Sequence, residues 1–422
     1  MLNDKQISLS LKWGDLVNTV IVKGCNFLLV FLIFLIARTG LDSNIFIDFG
    51  FYWSVSLLIG GILLGGASSA FVRFIGVSGS FKSFFNEVSV RLSLMLLFIS
   101  VLLSLLVSRG SVLSGYSLYF QLFAFGLIMQ MQMAVITLMR ALNSMLEVTV
   151  TSSIMLVVSP LFFFIMFDEV KGDLSDIFST LVTSFIFSFF LIIGVCYKQI
   201  NKLYQADHEK HIQSLTVSQF LAAYYSFTAI NIFSYSFTTM DFYILREIKI
   251  EGLLEIAGTA KIYFDRFVTP TLSVFAATMS IGILRTKSKY VVGNRDIEID
   301  IKPSLFSMTK FIALGLVCAA GYFLFVSLGN GVSTPLNIGA ALVITSGYII
   351  YVINSVLFDV MVLKHNARFL IISVTIFLIC AFPINYFSIR LFGLAGWVFY
   401  WPLMNLVVLL FLYNYVSRAY QK

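Results

Sequence analysis

Long apolar runs recur along this chain, and they constrain its fold more than any other feature. Each run is about as long as the roughly 20 apolar residues that an α-helix needs to cross a bilayer. The runs cover residues 17–37, 46–69, 89–107, 117–139, 149–167, 177–197, 217–243, 256–284, 306–328, 337–361, 367–389 and 393–416. Barrel strands in membranes are about ten residues long and alternate in polarity, so these runs indicate helices. We predict an all-α polytopic membrane protein with about 12 transmembrane helices.

The composition agrees with a membrane protein and excludes a soluble one. Of the 422 residues, 59% are hydrophobic and 12% are charged, whereas a soluble domain carries about 25% charged residues. After twelve spans, little chain remains for an extramembrane domain, since such domains begin at about 50 residues. The four cysteines lie singly and the three histidines lie in polar connectors. We therefore expect no metal site and no cofactor.

The longest polar connector in the middle of the chain, residues 198–216, divides it into two lobes. The predicted N-terminal lobe, residues 1–197, holds spans one to six, and the C-terminal lobe, residues 217–422, holds spans seven to twelve. Because six is even, both lobes enter the membrane from the same side. Parallel repeats of this kind are typical of transporters in which two helical lobes surround a central cavity.

Lysine and arginine residues indicate the orientation of the chain. With the N-terminus inside, 18 of the 28 basic residues lie in cytoplasmic segments, 6 lie outside, among them Arg38 and Arg246, and 4 lie within spans. Cytoplasmic loops retain such residues, so both termini are predicted to be cytoplasmic. The net charge of +7 then reflects topology, and no nucleic-acid partner is expected.

Charged residues inside spans are candidates for function, because each costs at least about 2.5 kcal/mol at a helix centre and usually faces a cavity or a partner. Lys23 lies roughly 9 Å deep in the first span, since it is about six residues from the inner end. Thr19, Lys23 and Asn26 fall on one helix face and form a polar stripe. The alternative is a lysine that extends back to the headgroups.

The eighth span carries Lys261, Asp265 and Arg266. Lys261 and Asp265 are one turn apart, so we predict that they pair. The spacing offers Arg266 no such pairing on its own helix, and its guanidinium suits phosphate oxygens. An ion pair with an aspartate of another span is the alternative. Lys310 lies a few residues into the ninth span. Its side chain could face a cavity or extend to the membrane interface, and the sequence favours neither.

Polar residues mark further span faces. The seventh span has one polar face: Tyr224, Thr228, Asn231, Tyr235, Thr238 and Asp241. A solvated lumen and an interhelical hydrogen-bonded seam both explain this spacing. Gln130 in the fourth span and Asp359 in the tenth are further candidates, and Gly60 and Gly61 predict close helix packing. No catalytic constellation is present, so we do not expect an enzyme.

Several segments resemble Wzx-type polysaccharide flippases. The stretch from Val22 to Gly50, followed by Phe51 and Tyr52, looks like the opening of those proteins, and the stretch from Gly65 to Ile75 is similar to the end of their second span. Asp241, Phe242 and Tyr243 resemble the start of their seventh-to-eighth connector. Those flippases form the polysaccharide transport family, in the superfamily of the multidrug and toxic-compound extruders and the peptidoglycan-precursor flippase.

The resemblance implies a flippase that moves an undecaprenyl-diphosphate-linked oligosaccharide, such as an O-antigen unit, from the cytoplasmic to the periplasmic leaflet of a bacterial inner membrane. Its partners would be membrane lipids and the polymerase and chain-length regulator of the same pathway. A drug exporter of the same superfamily and a membrane glycan polymerase or ligase are the alternatives.

Residue roles in such a flippase follow from the buried charges and polar faces. The expected diphosphate ligands are the basic residues Lys23 and Arg266, assisted by Lys261 and Lys310. The expected glycan contacts are Asn26, Gln130, Asn231 and Tyr235. The expected residues for coupling to a proton or sodium ion, as in an antiporter, are Asp265, Asp241 and Asp359.

Overall fold

A computed structural model describes residues 4–78, 117–141, 145–170, 173–206, 228, 232, 235–236, 239–248, 250, 252–279, 305–328, 336–363 and 367–420. These residues are helical apart from short turns, and no β-strand occurs among them. The predicted third span, 89–107, and most of the seventh lie outside the described residues. The all-α prediction is confirmed.

The helices follow the predicted apolar runs wherever the structure describes them. In chain order they are α1 Asp4–Gly40, α2 Ser43–Ser78, α3 Ser117–Ala141, α4 Met145–Val170, α5 Leu174–Ala206, α6 Leu253–Tyr263, α7 Thr269–Met279, α8 Leu305–Ser327, α9 Ile338–Leu363 and α10 Ala367–Tyr420. A π-helical turn, Phe264–Val268, joins α6 to α7, and residues 239–247 are also helical.

Within this described part, five helical stretches are long and apolar enough to cross a membrane. They are Ser43–Leu64, Ser117–Met139, Leu146–Asp168, Leu174–Asn201 and Thr375–Asn414. Large apolar side chains such as Phe164, Phe190 and Leu391 remain exposed on them, as expected of surfaces that face lipid. The chain is a polytopic membrane protein.

The helix α10 contains two of the predicted spans. At Gly393 the backbone leaves helical geometry, with φ 56° and ψ −131°, a conformation that glycine adopts without steric cost. The chain reverses at this point. The Tyr400 hydroxyl, which follows the break, donates to the carbonyl of Ala381, which precedes it, at 3.1 Å. The predicted break between 389 and 393 therefore falls within a tight hairpin.

The residues group into two compact units. The first unit comprises Met1–Phe51, Ser236–Lys287 and Ile297–Lys422, and the second comprises Tyr52–Tyr235 and Ser288–Asp296. Residues 1–51 thus group with the second half of the chain, because α1 packs on the π-helical turn and α7. The predicted linker is helical to Ala206, and residues 207–216 are not described. The division into lobes of six spans stays a prediction, as does the orientation in the membrane.

Each unit has its own aromatic core. In the first unit, Phe34 packs on Phe46 and Phe49, with ring centroids 6.2 and 5.1 Å apart. In the second unit, Trp53 and Phe125 lie 4.7 Å apart. The predicted close packing at Gly60 is confirmed, because a Cβ there would collide with the backbone carbonyl of Gly126 on α3.

Candidate functional site

The candidate site of the first unit is built around the π-helical turn in the eighth span. The amide of Thr269 donates to the carbonyl of Phe264, five residues earlier, and the Thr269 hydroxyl donates to the same oxygen at 3.1 Å. Pro270 follows and has no amide proton for the carbonyl of Arg266, which favours an irregular turn here. Turns of this kind are frequent at functional sites, and this one carries Asp265 and Arg266.

Asp241, Lys261 and Asp265 form a buried ion-pair cluster, which we call the Asp–Lys–Asp cluster. The Lys261 Nζ lies 3.2 Å from Asp241 Oδ2 and 3.2 Å from Asp265 Oδ2. The lysine side chain is 0% exposed, and those of Asp241 and Asp265 are 1% and 3% exposed. The predicted pair of Lys261 with Asp265 is confirmed. Its second partner, Asp241, comes from the seventh span.

Neutral groups donate a hydrogen bond to each of the two carboxylates. The Asn385 amide donates to Asp241 Oδ1 at 2.5 Å, and the Tyr348 hydroxyl donates to Asp265 Oδ1 at 2.5 Å. Each carboxylate therefore presents one oxygen to the lysine and one to a neutral group. A buried ion pair needs such additional partners to offset the loss of water.

Aromatic rings surround the ammonium group of the cluster. The Lys261 Nζ lies 4.7 Å from the ring centre of Trp401 and 5.6 Å from that of Phe242. Both distances allow a cation–π attraction. The ring of Trp401 also lies 4.9 Å from that of Tyr348, so the same aromatic groups fix the hydroxyl donor and the cation.

Arg266 lies next to Asp265 in the turn and points to a different neighbourhood. Its side chain is half-buried, and its guanidinium carbon lies 5.7 Å from the ring centre of Phe34 on α1. The helix α1 also carries Lys23 and Asn26. The Oδ1 atom of Asn26 is buried and accepts no hydrogen bond from the described residues.

Other predicted site residues lie apart from the cluster or outside the described residues. Lys310 is exposed on α8. In the second unit, the Gln130 amide donates to the Tyr235 hydroxyl at 3.4 Å, which joins two of the predicted glycan contacts. The side chains of Lys23 and Asp359 and the whole of Asn231 are outside the described part of the chain.

Sequence reasoning missed Tyr348 and Asn385, which contact the two carboxylates. Asn385 is a lone amide in an apolar stretch beside Pro383, and a lone buried amide of this kind is a usable signal. Tyr348 offers none, since a tyrosine in an apolar span is ordinary. Among the residues that the structure describes, no group of three or more His, Cys, Asp or Glu side chains could hold a metal ion.

Two arginines of the first unit that the sequence places in outer loops form contacts within that unit. Arg38 is fully buried, and its Nη2 donates to the carbonyl of Val326 at 3.2 Å in the last turn of α8. Helix C-termini attract cations, because their last carbonyls lack partners within the helix. Arg246 forms an ion pair with Asp48 on α2.

Comparisons with known proteins identify the fold. No protein-family model matches the chain, and no curated protein does. The MATE multidrug transporter DinF-BH matches 97% of this chain and 94% of its own, with 13% identity and a TM-score of 0.54. The bent form of the Vibrio cholerae MATE transporter VcmN matches 96% and 98%, with 13% identity and a TM-score of 0.54.

A third match is a MOP superfamily transporter from Pyrococcus furiosus, described as having a binding pocket of reverse polarity that suggests a different function. It matches 96% of this chain and 95% of its own, with 14% identity and a TM-score of 0.50. At such identities the likeness shows the fold. The chain has the polytopic helical fold of MATE transporters of the MOP superfamily.

Proposed function

We propose that this protein is a flippase that moves an undecaprenyl-diphosphate-linked oligosaccharide, such as an O-antigen unit, from the cytoplasmic to the periplasmic leaflet of a bacterial inner membrane. The transporter fold supports a mechanism of alternating access. The resemblance of the first two spans to Wzx-type flippases supports the substrate. Membrane lipids and the polymerase and chain-length regulator of the same pathway are its partners in this proposal.

The observation that carries the proposal is the pairing of the acidic residues within the spans. A cationic drug needs a carboxylate that is not already in contact with a cation of the protein. Asp48 pairs with Arg246, and Asp241 and Asp265 share Lys261. The remaining span aspartate, Asp359, has no described side chain. The span carboxylates that the structure describes therefore favour an anionic substrate over a cationic one.

Arg266 and Lys23 are the proposed diphosphate ligands. Arg266 is half-buried on the π-helical turn, and the helix α1 that carries Lys23 packs on that turn. A guanidinium binds two phosphate oxygens at once, whereas an ammonium acts as a compact point charge. Lys310, which is exposed, remains an assisting cation. Lys261 is held by two carboxylates, so we assign it to ion coupling.

The sugar contacts and the coupling residues complete the proposal. Asn26, Gln130, Asn231 and Tyr235 offer amides and a hydroxyl, which are the partners that sugar hydroxyls require. Asp241 and Asp265, with Asp359, would couple transport to an ion by antiport. The Pyrococcus furiosus transporter, with its reverse polarity, supports the idea that this fold accommodates pockets of different charge.

The test is complementation of a strain that lacks its own flippase, with surface glycan as the readout. We expect Arg266→Ala and Lys23→Ala to abolish surface glycan at unchanged membrane levels and to leave lipid-linked units in the inner leaflet. The matched control is Arg390→Ala, which removes an exposed arginine that contacts Tyr386. Wild-type glycan from both site variants would refute the assignment.

The alternative functions have their own readouts. A drug exporter would change resistance to cationic compounds without loss of surface glycan. A glycan polymerase or ligase would elongate or transfer chains as a purified protein. Either result would replace the proposal.

A further inference from the structure

The Asp–Lys–Asp cluster presents an ammonium group at the position where two carboxylates converge. The Lys261 Nζ is 3.2 Å from one oxygen of each carboxylate. Two carboxylate oxygens that converge on a single point are a typical arrangement for a small cation that prefers oxygen ligands. The cation found there belongs to the protein itself.

The surroundings of the cluster are also those of a cation site. The Oδ1 atom of Asn385 is fully buried and accepts no hydrogen bond among the described residues, while its amide holds Asp241. The Trp401 ring lies 4.7 Å from the ammonium, and aromatic faces attract cations. Two carboxylate oxygens and an aromatic ring thus converge on one buried position.

A free cation cannot join the lysine at this position. It would need the two carboxylate oxygens that Lys261 contacts, and it would lie within a few ångströms of a like charge in a buried environment. Repulsion between like charges is strong where water is excluded. The lysine side chain is itself fully buried, so displacing it from both carboxylates would leave an unpaired buried ammonium.

We infer that Lys261 is the resident cation of this site and excludes sodium and other free alkali ions from the Asp241 and Asp265 carboxylates. The inference rests on the coupling role in the proposed function and deepens it, because it removes the sodium ion from the candidates at this cluster. Lys261 becomes the residue that determines ion specificity.

The test measures thermal unfolding of the purified full-length protein in detergent. Titrations use sodium chloride against choline chloride at constant ionic strength. A ligand that binds only the folded state raises the unfolding temperature with concentration. The wild type should show no sodium-specific shift. Lys261→Ala should acquire one, with at least about tenfold tighter sodium binding than the wild type, because its carboxylates have lost their cation.

Matched variants define the response. Lys261→Arg keeps the charge and should remain insensitive to sodium. Lys198→Ala removes an exposed lysine of α5 and should behave as the wild type. Asp265→Asn in the Lys261→Ala background removes a carboxylate and should abolish the acquired response.

Two results would overturn the inference. One is a sodium-specific shift in the wild type that Asp241→Asn abolishes. The other is a folded Lys261→Ala protein that sodium does not stabilise. If Lys261→Ala does not fold, the wild-type titration decides alone, since a shift lost in Asp241→Asn contradicts the inference and no such shift supports it. None of these readouts involves glycan, so they do not depend on the proposed substrate.

Discussion

Buried polar groups differ between the two units. Among its described residues, the first unit buries four charged side chains: Arg38, Asp241, Lys261 and Asp265. In the described part of the second unit, the buried polar side chains are all neutral, and one hydrogen-bonded network of them joins three helices. Gln132 on α3 donates to Ser188 on α5 at 2.7 Å, and Ser159 on α4 donates to the same hydroxyl at 2.9 Å.

This difference separates two uses of polar residues in a membrane. Neutral amides and hydroxyls join packed helices at modest cost. Buried charges are costly and persist where they serve a substrate, an ion or a switch. The buried neutral network of the second unit therefore serves packing, whereas the buried charges of the first unit call for a functional explanation.

Removing the central cation should have the largest effect on stability. Lys261→Met keeps most of the side-chain volume and leaves two buried carboxylates without a cation. We expect a loss of about 3–5 kcal/mol, measured as a lower unfolding temperature in sodium-free detergent. Adding Asp241→Asn and Asp265→Asn should recover part of this loss, because the unpaired charges disappear. A triple variant less stable than Lys261→Met would contradict this explanation.

A steric change should have the largest effect in the second unit. Gly60→Leu places a side chain against the backbone carbonyl of Gly126, and α2 and α3 would have to separate. We expect a loss of about 1–3 kcal/mol, again from thermal unfolding. Gly194→Ala on α5, where nothing lies within 4 Å of the added Cβ, is the control. Equal effects of the two changes would show that close packing is not required here.

The neutral network should respond more weakly than the charged cluster. Gln132→Met removes the hydrogen bonds to Ser188 and to the carbonyl of Phe185. Interhelical hydrogen bonds in membranes contribute about 0.6 kcal/mol on average and at most about 1.7 kcal/mol, so we expect about 1 kcal/mol. A loss as large as that of Lys261→Met would erase the distinction between the units.

The smallest effect is expected for the partly exposed ion pair. The side chains of Arg246 and Asp48 are 31% and 33% exposed, and pairs in contact with water contribute less than about 1 kcal/mol. Arg246→Gln should lower the unfolding temperature least in this series. The Asp48→Asn change should have a similar effect, and in combination the two should cost little more than either alone. Strict additivity would show that the pair contributes nothing.

The sequence predicts the local features of this structure, but it does not predict contacts between segments that are distant along the chain. The pairing of Lys261 with Asp265 follows from their spacing within one helix. Asp241 could not be added, because no helix periodicity relates it to Lys261, which lies on another helix. The same limit applies to Tyr348 and Asn385.

Arg38 shows a second limit of the sequence. It follows an apolar run and precedes a polar turn, which is the usual pattern of a loop residue. In the structure, the carbonyl of Val326 and the rings of Phe46 and Phe325, at 5.3 and 5.8 Å from the guanidinium carbon, hold it inside. Cation–π contacts of this kind depend on tertiary packing, so the sequence pattern does not reveal them.

The reversal at Gly393 has a consequence for how the last two spans move. A Cβ at Gly396 would collide with the carbonyl of Ser388, so the two arms are in contact immediately beside the turn. The turn contains no additional loop residues that would let one arm shift without the other. We therefore expect the last two spans to move together as one hairpin, with Asn385 on one arm and Trp401 on the other.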